Sequence, residues 1–211
     1  MGDAGTRYAV RTTRTLLRPV SIEDADYLHR LWRDPAIRRY LWDDEVIPRE
    51  RAEAAVRESL GDFGRHGFGF WIAERWEGGE APIGFCGLRH LDDGTGVEVL
   101  YGISPPEWGR GLATELALAM LRYGFGRAGL TRILGVADAE NVASRRVLEK
   151  VGMTFWGYAF NEGGEEVRYA IRSEDFRRVP PTARGRRPEG CGRPASAPDP
   201  AHPDRDVHQP R

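Results

Sequence analysis

Gly109-Arg110-Gly111-Leu112-Ala113-Thr114 constrains this 211-residue chain more than any other stretch. It follows a strand-like run, Val97 to Ser104, and opens a helix-like run, Leu112 to Phe125. A strand, a glycine turn and a helix N-terminus in that order aim several backbone N–H groups, with the positive end of the helix dipole, at one point. An anion fits there, above all a pyrophosphate, and glycine lets the backbone approach it closely. The turn therefore implies a phosphate-bearing ligand. A nucleotide P-loop would end Gly-Lys-Ser/Thr. This turn ends Gly-Leu-Ala-Thr, and the chain's one lysine is the distant Lys150. A dinucleotide fingerprint would end in Gly or Ala and open an early βαβ unit, whereas this turn ends at Thr114 in mid-chain. A glycine turn without a ligand is the remaining alternative.

About thirty residues on stands Asn141-Val142-Ala143-Ser144-Arg145-Arg146-Val147-Leu148-Glu149-Lys150-Val151-Gly152-Met153. Ala143, Val147, Leu148 and Val151 recur at helical spacing, so one face is buried. Asn141 sits where an N-cap belongs and Gly152 where a left-handed C-terminal cap belongs.

Together the two segments resemble the GNAT superfamily of acyl-CoA-dependent N-acyltransferases, and within it the branch that includes ribosomal-protein N-terminal acetyltransferases. Trp108 through Ala113 is similar to the Q/R-x-x-G-x-G/A segment that holds the pyrophosphate of coenzyme A, with Trp108 in place of the Gln or Arg. The later segment is similar to N-x-x-S-x-x-V-L-E-K-x-G, with Met153 in place of the common Phe. The likeness covers about residues 14 to 172. It implies acetyl-CoA as co-substrate, with Trp108, Gly109, Arg110, Gly111, Ala113 and Thr114 at its phosphates and the pantetheine arm along Gly102-Ile103-Ser104. By the same likeness Asn141 bonds the pantetheine amides and Arg146 reaches a phosphate; a solvated Arg146 is the alternative.

Acyl transfer from a thioester to an amine needs a neutral amine, a stabilised oxyanion and a leaving thiolate that receives a proton. A lysine-like amine is neutral about once in 10³ at pH 7, whereas a protein α-amine is neutral roughly a tenth of the time. Glu98, on the strand before the turn, is the candidate base, directly or through a water. A solvated strand carboxylate is the competing reading. Glu107, Glu115 and His90 are lesser candidates, Glu115 also complementing the helix dipole. The resemblance places an oxyanion donor among the backbone N–H groups of Val99-Leu100-Tyr101. Where many GNAT enzymes carry a Tyr on the late helix this chain has Ser144, whose hydroxyl can donate one hydrogen bond to the leaving sulfur; an ordinary first-turn helix serine is the alternative. Trp42-Asp43-Asp44-Glu45 is a candidate acceptor mouth, or simply a charged loop after a core Trp.

The elements read β, α, α, α, β, β, β, α, β, α, β, β. That is an α+β fold with a mixed, mostly antiparallel sheet, and the GNAT likeness implies splayed central strands flanked by helices. Three segments are expected: a flexible 1–13, an acyl-CoA N-acyltransferase domain over 14–177, and a disordered Pro/Arg/Gly-rich tail over 178–211. Residues 177–211 carry eight Arg against four carboxylates, a charge of +4, so the remainder carries −5 within the total of −1. An acidic body argues against nucleic acid and suits a cationic amine acceptor. There is no apolar run of membrane length and no secretory signal, and Cys86 and Cys191 make neither a disulfide framework nor a metal site. Gly2 to Thr6 fits the bare myristoylation pattern, but no second membrane signal follows. The expectation is a cytoplasmic enzyme without a metal, monomeric or homodimeric. A non-catalytic acyl-CoA-binding regulator and a transferase for longer acyl chains are the alternatives.

Overall fold

A computed structural model describes residues 7–76, 81–161 and 164–176. Among the described residues the strands form a single sheet in the order β1-β2-β3-β4-β5-β6-β8-β7. The strands are β1 (Val10–Arg11), β2 (Thr15–Pro19), β3 (Phe70–Arg75), β4 (Gly84–His90), β5 (Val97–Ile103), β6 (Arg132–Asp138), β7 (Thr154–Asn161) and β8 (Gly164–Arg172). Every neighbouring pair is antiparallel except β5 and β6. The helices are α1 (Ala25–Arg33), α2 (Pro35–Arg38), α3 (Arg49–His66), α4 (Leu112–Gly126), α5 (Val142–Lys150) and α6 (Ser173–Phe176).

This is the mixed, mostly antiparallel α+β architecture expected, with one difference at its start. Residues 1–13 read as flexible, yet Val10–Arg11 pair with Leu16 and Leu17. The Trp71 indole donates to the Tyr8 carbonyl at 2.8 Å, and the Tyr8 ring packs 5.1 Å from Phe63. The strand pairs locally with β2, while the partners of Tyr8 lie more than fifty residues away. The tail from 178 onward lies outside the described residues.

The two sheet faces carry separate cores. One packs α4 and α5 on Val97, Val99, Ile103, Ile133 and Ala137, with Tyr101 partly buried against it. The other packs α1, α2 and the first half of α3 on Ile72 and Phe85, with Leu100 partly buried there. Successive side chains alternate between faces, so Glu98 shares the α1–α3 face with Leu100, while Tyr101 faces α5. Leu112, Leu116, Ala117, Met120 and Leu121 of α4 are buried. Each Leu or Met contributes about 1.5–3 kcal/mol of burial, which anchors the helix whose N-terminus ends the glycine turn.

Candidate active site

Beside the parallel pair the sheet opens. The register of β5 on β6 consists of one match, Glu98↔Leu134, whereas β6 and β8 match over seven positions. On the other side β5 pairs with β4 along its whole length, and just beyond the strand Ser104 N donates to the Ile83 carbonyl at 2.9 Å. Strand backbone groups alternate in direction. Gly102 therefore faces β4 with Ser104, and Tyr101 and Ile103 turn their N–H and C=O groups toward the opening. The indole of Trp108 crosses back and donates to the Ile103 carbonyl at 2.6 Å.

The turn after β5 has the form the sequence implies. Gly109 and Gly111 both lie in the left-handed region, at φ 75° and 74°. A side chain is strained there. A Cβ on Gly109 would meet nothing within 4 Å, and one on Gly111 only the Arg14 guanidinium at 3.9 Å, so the hollow in front of the turn is open. The first helical bond of α4 runs from Glu115 N to the Gly111 carbonyl. The N–H groups of Leu112, Ala113 and Thr114 therefore have no acceptor within the helix.

Behind the turn, Glu115 is structural. Its carboxylate accepts from Thr12 Oγ1 at 2.6 Å, Arg14 N at 2.8 Å and Arg14 Nε at 2.6 Å, and Arg14 Nη1 donates to the Arg110 carbonyl at 2.7 Å. Burial raises the Glu115 carboxyl, but these donors outweigh it and hold it below its usual range. Glu107 is held by Arg75 and Arg110. His90 is exposed at the end of β4 away from the turn, its ring 4.7 Å from that of His66. None of the three lesser candidates stands free at the opening to take a proton.

Glu98 is 4% exposed, so it is not a solvated strand carboxylate. Arg89 Nε, on a half-exposed side chain, donates to it at 2.7 Å. Burial lifts its carboxyl above the ordinary value, with Arg89 pulling the other way. Glu166, Arg168 and Asp138 share its face, since Val167, Tyr169 and Ala137 beside them belong to the α4–α5 core. Asp138 is likewise lifted, by burial first and then by Glu166, Asp43 and Glu140.

On the other face α5 begins at its cap: Asn141 Oδ1 accepts from Ser144 N at 3.0 Å. The Tyr101 phenol reaches Ser144, 3.0 Å from its Oγ and 3.2 Å from its carbonyl oxygen. Arg146 is exposed on α5, which fits both a phosphate contact and a solvated side chain. Thus Glu98, Ile103, Trp108 and the glycine turn lie on one strand and its extension, and Asn141 and Ser144 face that strand from α5. Sequence reasoning missed the phenol of Tyr101 and the carboxylate of Asp138. In the acceptor loop Asp44 is tied to Arg38 at 2.8 Å, and Trp42 packs between Trp32 and the Arg51 guanidinium. Only Asp43 of that loop looks toward Asp138.

Residues 14–154 match the family model described as acetyltransferase (GNAT) domain. This chain belongs to the GNAT acetyltransferase family. It is an acetyl-CoA-dependent N-acetyltransferase. The FsC-acetyl coenzyme A-N(2)-transacetylase of Aspergillus fumigatus is 30% identical over 191 residues, covering 81% of this chain and 78% of that protein. The spermidine N(1)-acetyltransferase of Escherichia coli K12 is 25% identical over 159 residues, covering 74% and 82%. The fold is shared with RimL, a ribosomal L7/L12 α-N-protein acetyltransferase solved with coenzyme A (TM-score 0.65, 17% identity, covering 78% of this chain and 97% of that one). An open glycine cradle, outward first-turn N–H groups and a strand edge facing a gap suit a long phosphorylated thioester. No helix among the described residues is long and apolar enough to cross a membrane.

Proposed function

We propose that this GNAT enzyme acetylates a primary amine by direct attack in a ternary complex, the amine entering on the α1–α3 face of the opening between β5 and β6. One observation carries the reading: the opening starts at a buried carboxylate, Glu98, on one face and has a hydroxyl pair, Tyr101 and Ser144, on the other. Acetyl-CoA supplies the activated carbonyl. The glycine turn, with Arg110 and Thr114, receives its phosphates, and Ile103 and Asn141 its amide arm. Glu98 takes the proton of the attacking amine, and its raised pKa makes it a stronger base than an ordinary carboxylate. A backbone N–H of β5 facing the gap, that of Tyr101, donates to the carbonyl oxygen as charge develops there. Ser144 donates to the departing sulfur.

The acceptor side is acidic. Glu166, Asp43 and Glu140 all raise Asp138, against Arg39, and a protonated amine beside Asp138 would offset them. Small polyamines and protein N-terminal α-amines both satisfy this chemistry, in a cytoplasmic setting. The test measures thiol release from acetyl-CoA with spermidine and with a short peptide bearing a free α-amine, for wild type and Glu98→Gln. Amine-dependent release that falls about 10²-fold or more in Glu98→Gln, with the acid limb of its pH profile lost, supports the base assignment. Release that is amine-dependent but indifferent to Glu98→Gln removes Glu98 from the mechanism. Release that is absent with both amines, from protein that binds acetyl-CoA, removes both amine classes as acceptors.

A further inference from the structure

Tyr101 is not needed where it is by packing alone. Its ring lies against the α4–α5 core, but its hydroxyl runs on to the first turn of α5 and meets both polar atoms of Ser144. A carbonyl oxygen only accepts, so the 3.2 Å contact to the Ser144 carbonyl uses the phenol's one proton. The 3.0 Å contact to Oγ runs in either direction. Two arrangements follow from the same heavy-atom positions. When the phenol donates to the carbonyl, Ser144 gives its proton to the phenol oxygen and has none for anything else. When the phenol donates to Oγ, the serine proton turns away from Tyr101. Swapping them moves only hydrogens.

We propose that Tyr101 is a positioning residue for the leaving sulfur: its phenol donates to Ser144 Oγ and directs the serine proton into the opening between β5 and β6. This rests on the role of Ser144 proposed above. The step balances. The carbon–sulfur bond breaks with its electron pair on sulfur, and the thiolate accepts the hydrogen bond of Ser144 while the phenol donates to Ser144 Oγ, both hydroxyls keeping their protons. The thiolate takes its proton from water, matching the one the amine leaves on Glu98. A thiolate with an ordinary pKa of about 8.5 is too weak a base to strip an aliphatic hydroxyl or a phenol. Burial lifts the phenol above its ordinary value, so it holds its proton throughout and acts by hydrogen bond.

The test compares Tyr101→Phe, Ser144→Ala and the double variant. Tyr101→Phe keeps the ring and removes only the hydroxyl. The expected result is a fall in kcat of about tenfold or more with the acetyl-CoA KM within about twofold. The double variant falls no further than Ser144→Ala, because the two groups act as one unit. A readout apart from turnover is calorimetric binding of coenzyme A against desulfo-coenzyme A at alkaline pH. Wild type prefers the thiol-bearing ligand, and Tyr101→Phe loses that preference. An unchanged kcat in Tyr101→Phe, or losses that multiply in the double variant, overturns the proposal while leaving Ser144 in place. Full activity in Ser144→Ala removes Ser144 itself and shows that the underlying reading failed.

Discussion

Replacing Glu115 by Ala separates a structural carboxylate from a catalytic one. Three donors converge on it, from Thr12 Oγ1, Arg14 N and Arg14 Nε, and the carboxylate is 15% exposed. Hydrogen bonds to a charged acceptor contribute about 1.5–3 kcal/mol each. The Arg14 side chain is 44% exposed, so that ion pair is discounted to under about 1 kcal/mol. Two bonds at the lower figure and a favourable helix-dipole term of about 0.3–1 kcal/mol leave a loss of roughly 3–4 kcal/mol. For a domain of this size that lowers Tm by about 6–16 °C, read by calorimetry. Turnover follows a different course. Without Glu115, Arg14 no longer holds the Arg110 carbonyl, so the acetyl-CoA KM rises while kcat at saturation stays within about threefold. The sign with pH is also set. The folded carboxyl lies below its unfolded value, so its stabilisation is complete above about pH 5 and fades as pH falls through the depressed pKa. The Tm gap between wild type and variant closes at that end. An unchanged Tm with kcat reduced about 10²-fold would refute this reasoning and make Glu115 the base.

Two further outcomes follow from the same geometry. Gly109→Ala places a Cβ at φ 75° in the open hollow, so acetyl-CoA binding by calorimetry weakens while Tm falls by only the few degrees that about 1–2 kcal/mol of backbone strain implies; unaltered binding would mean that the hollow is not the phosphate seat. Asp24→Asn removes the charge and one of the two oxygens that pair with Arg18 (2.7 Å at each nitrogen), the remaining amide oxygen still accepting from Ser21 N, and denaturant unfolding at pH 7 registers a loss of about 2–4 kcal/mol, the partial exposure of Arg18 keeping it below a fully buried pair; a loss under about 0.5 kcal/mol would contradict it.

What was legible in the chain was local. The glycines at 109 and 111 are where positive φ is required, and Asn141 and Gly152 cap the helix between them as their positions imply, Gly152 at φ 90°. What was not legible depends on distant partners. Val-Glu-Val-Leu-Tyr leaves Glu98 open between a base and a solvated strand carboxylate, and only the pairing of Glu98 with Arg89 across β4 and β5 shows why a buried charge is tolerated. The Tyr101 phenol finds Ser144 forty-three residues on, through a helix crossing the sheet. By sequence the Trp42 loop is open between an acceptor mouth and a charged loop after a core Trp, and only distant partners show Trp42 packed between Trp32 and the Arg51 guanidinium. Periodicity carries no information about such pairings.

The seat of acetyl-CoA is best tested by amide hydrogen exchange with and without saturating acetyl-CoA. The account predicts slowed exchange in two runs, residues 101–103 of β5 and 109–114 of the turn, where N–H groups face the opening or lack a helical acceptor, with β1 and β2 unchanged. Saturable binding that leaves both runs unprotected would contradict it.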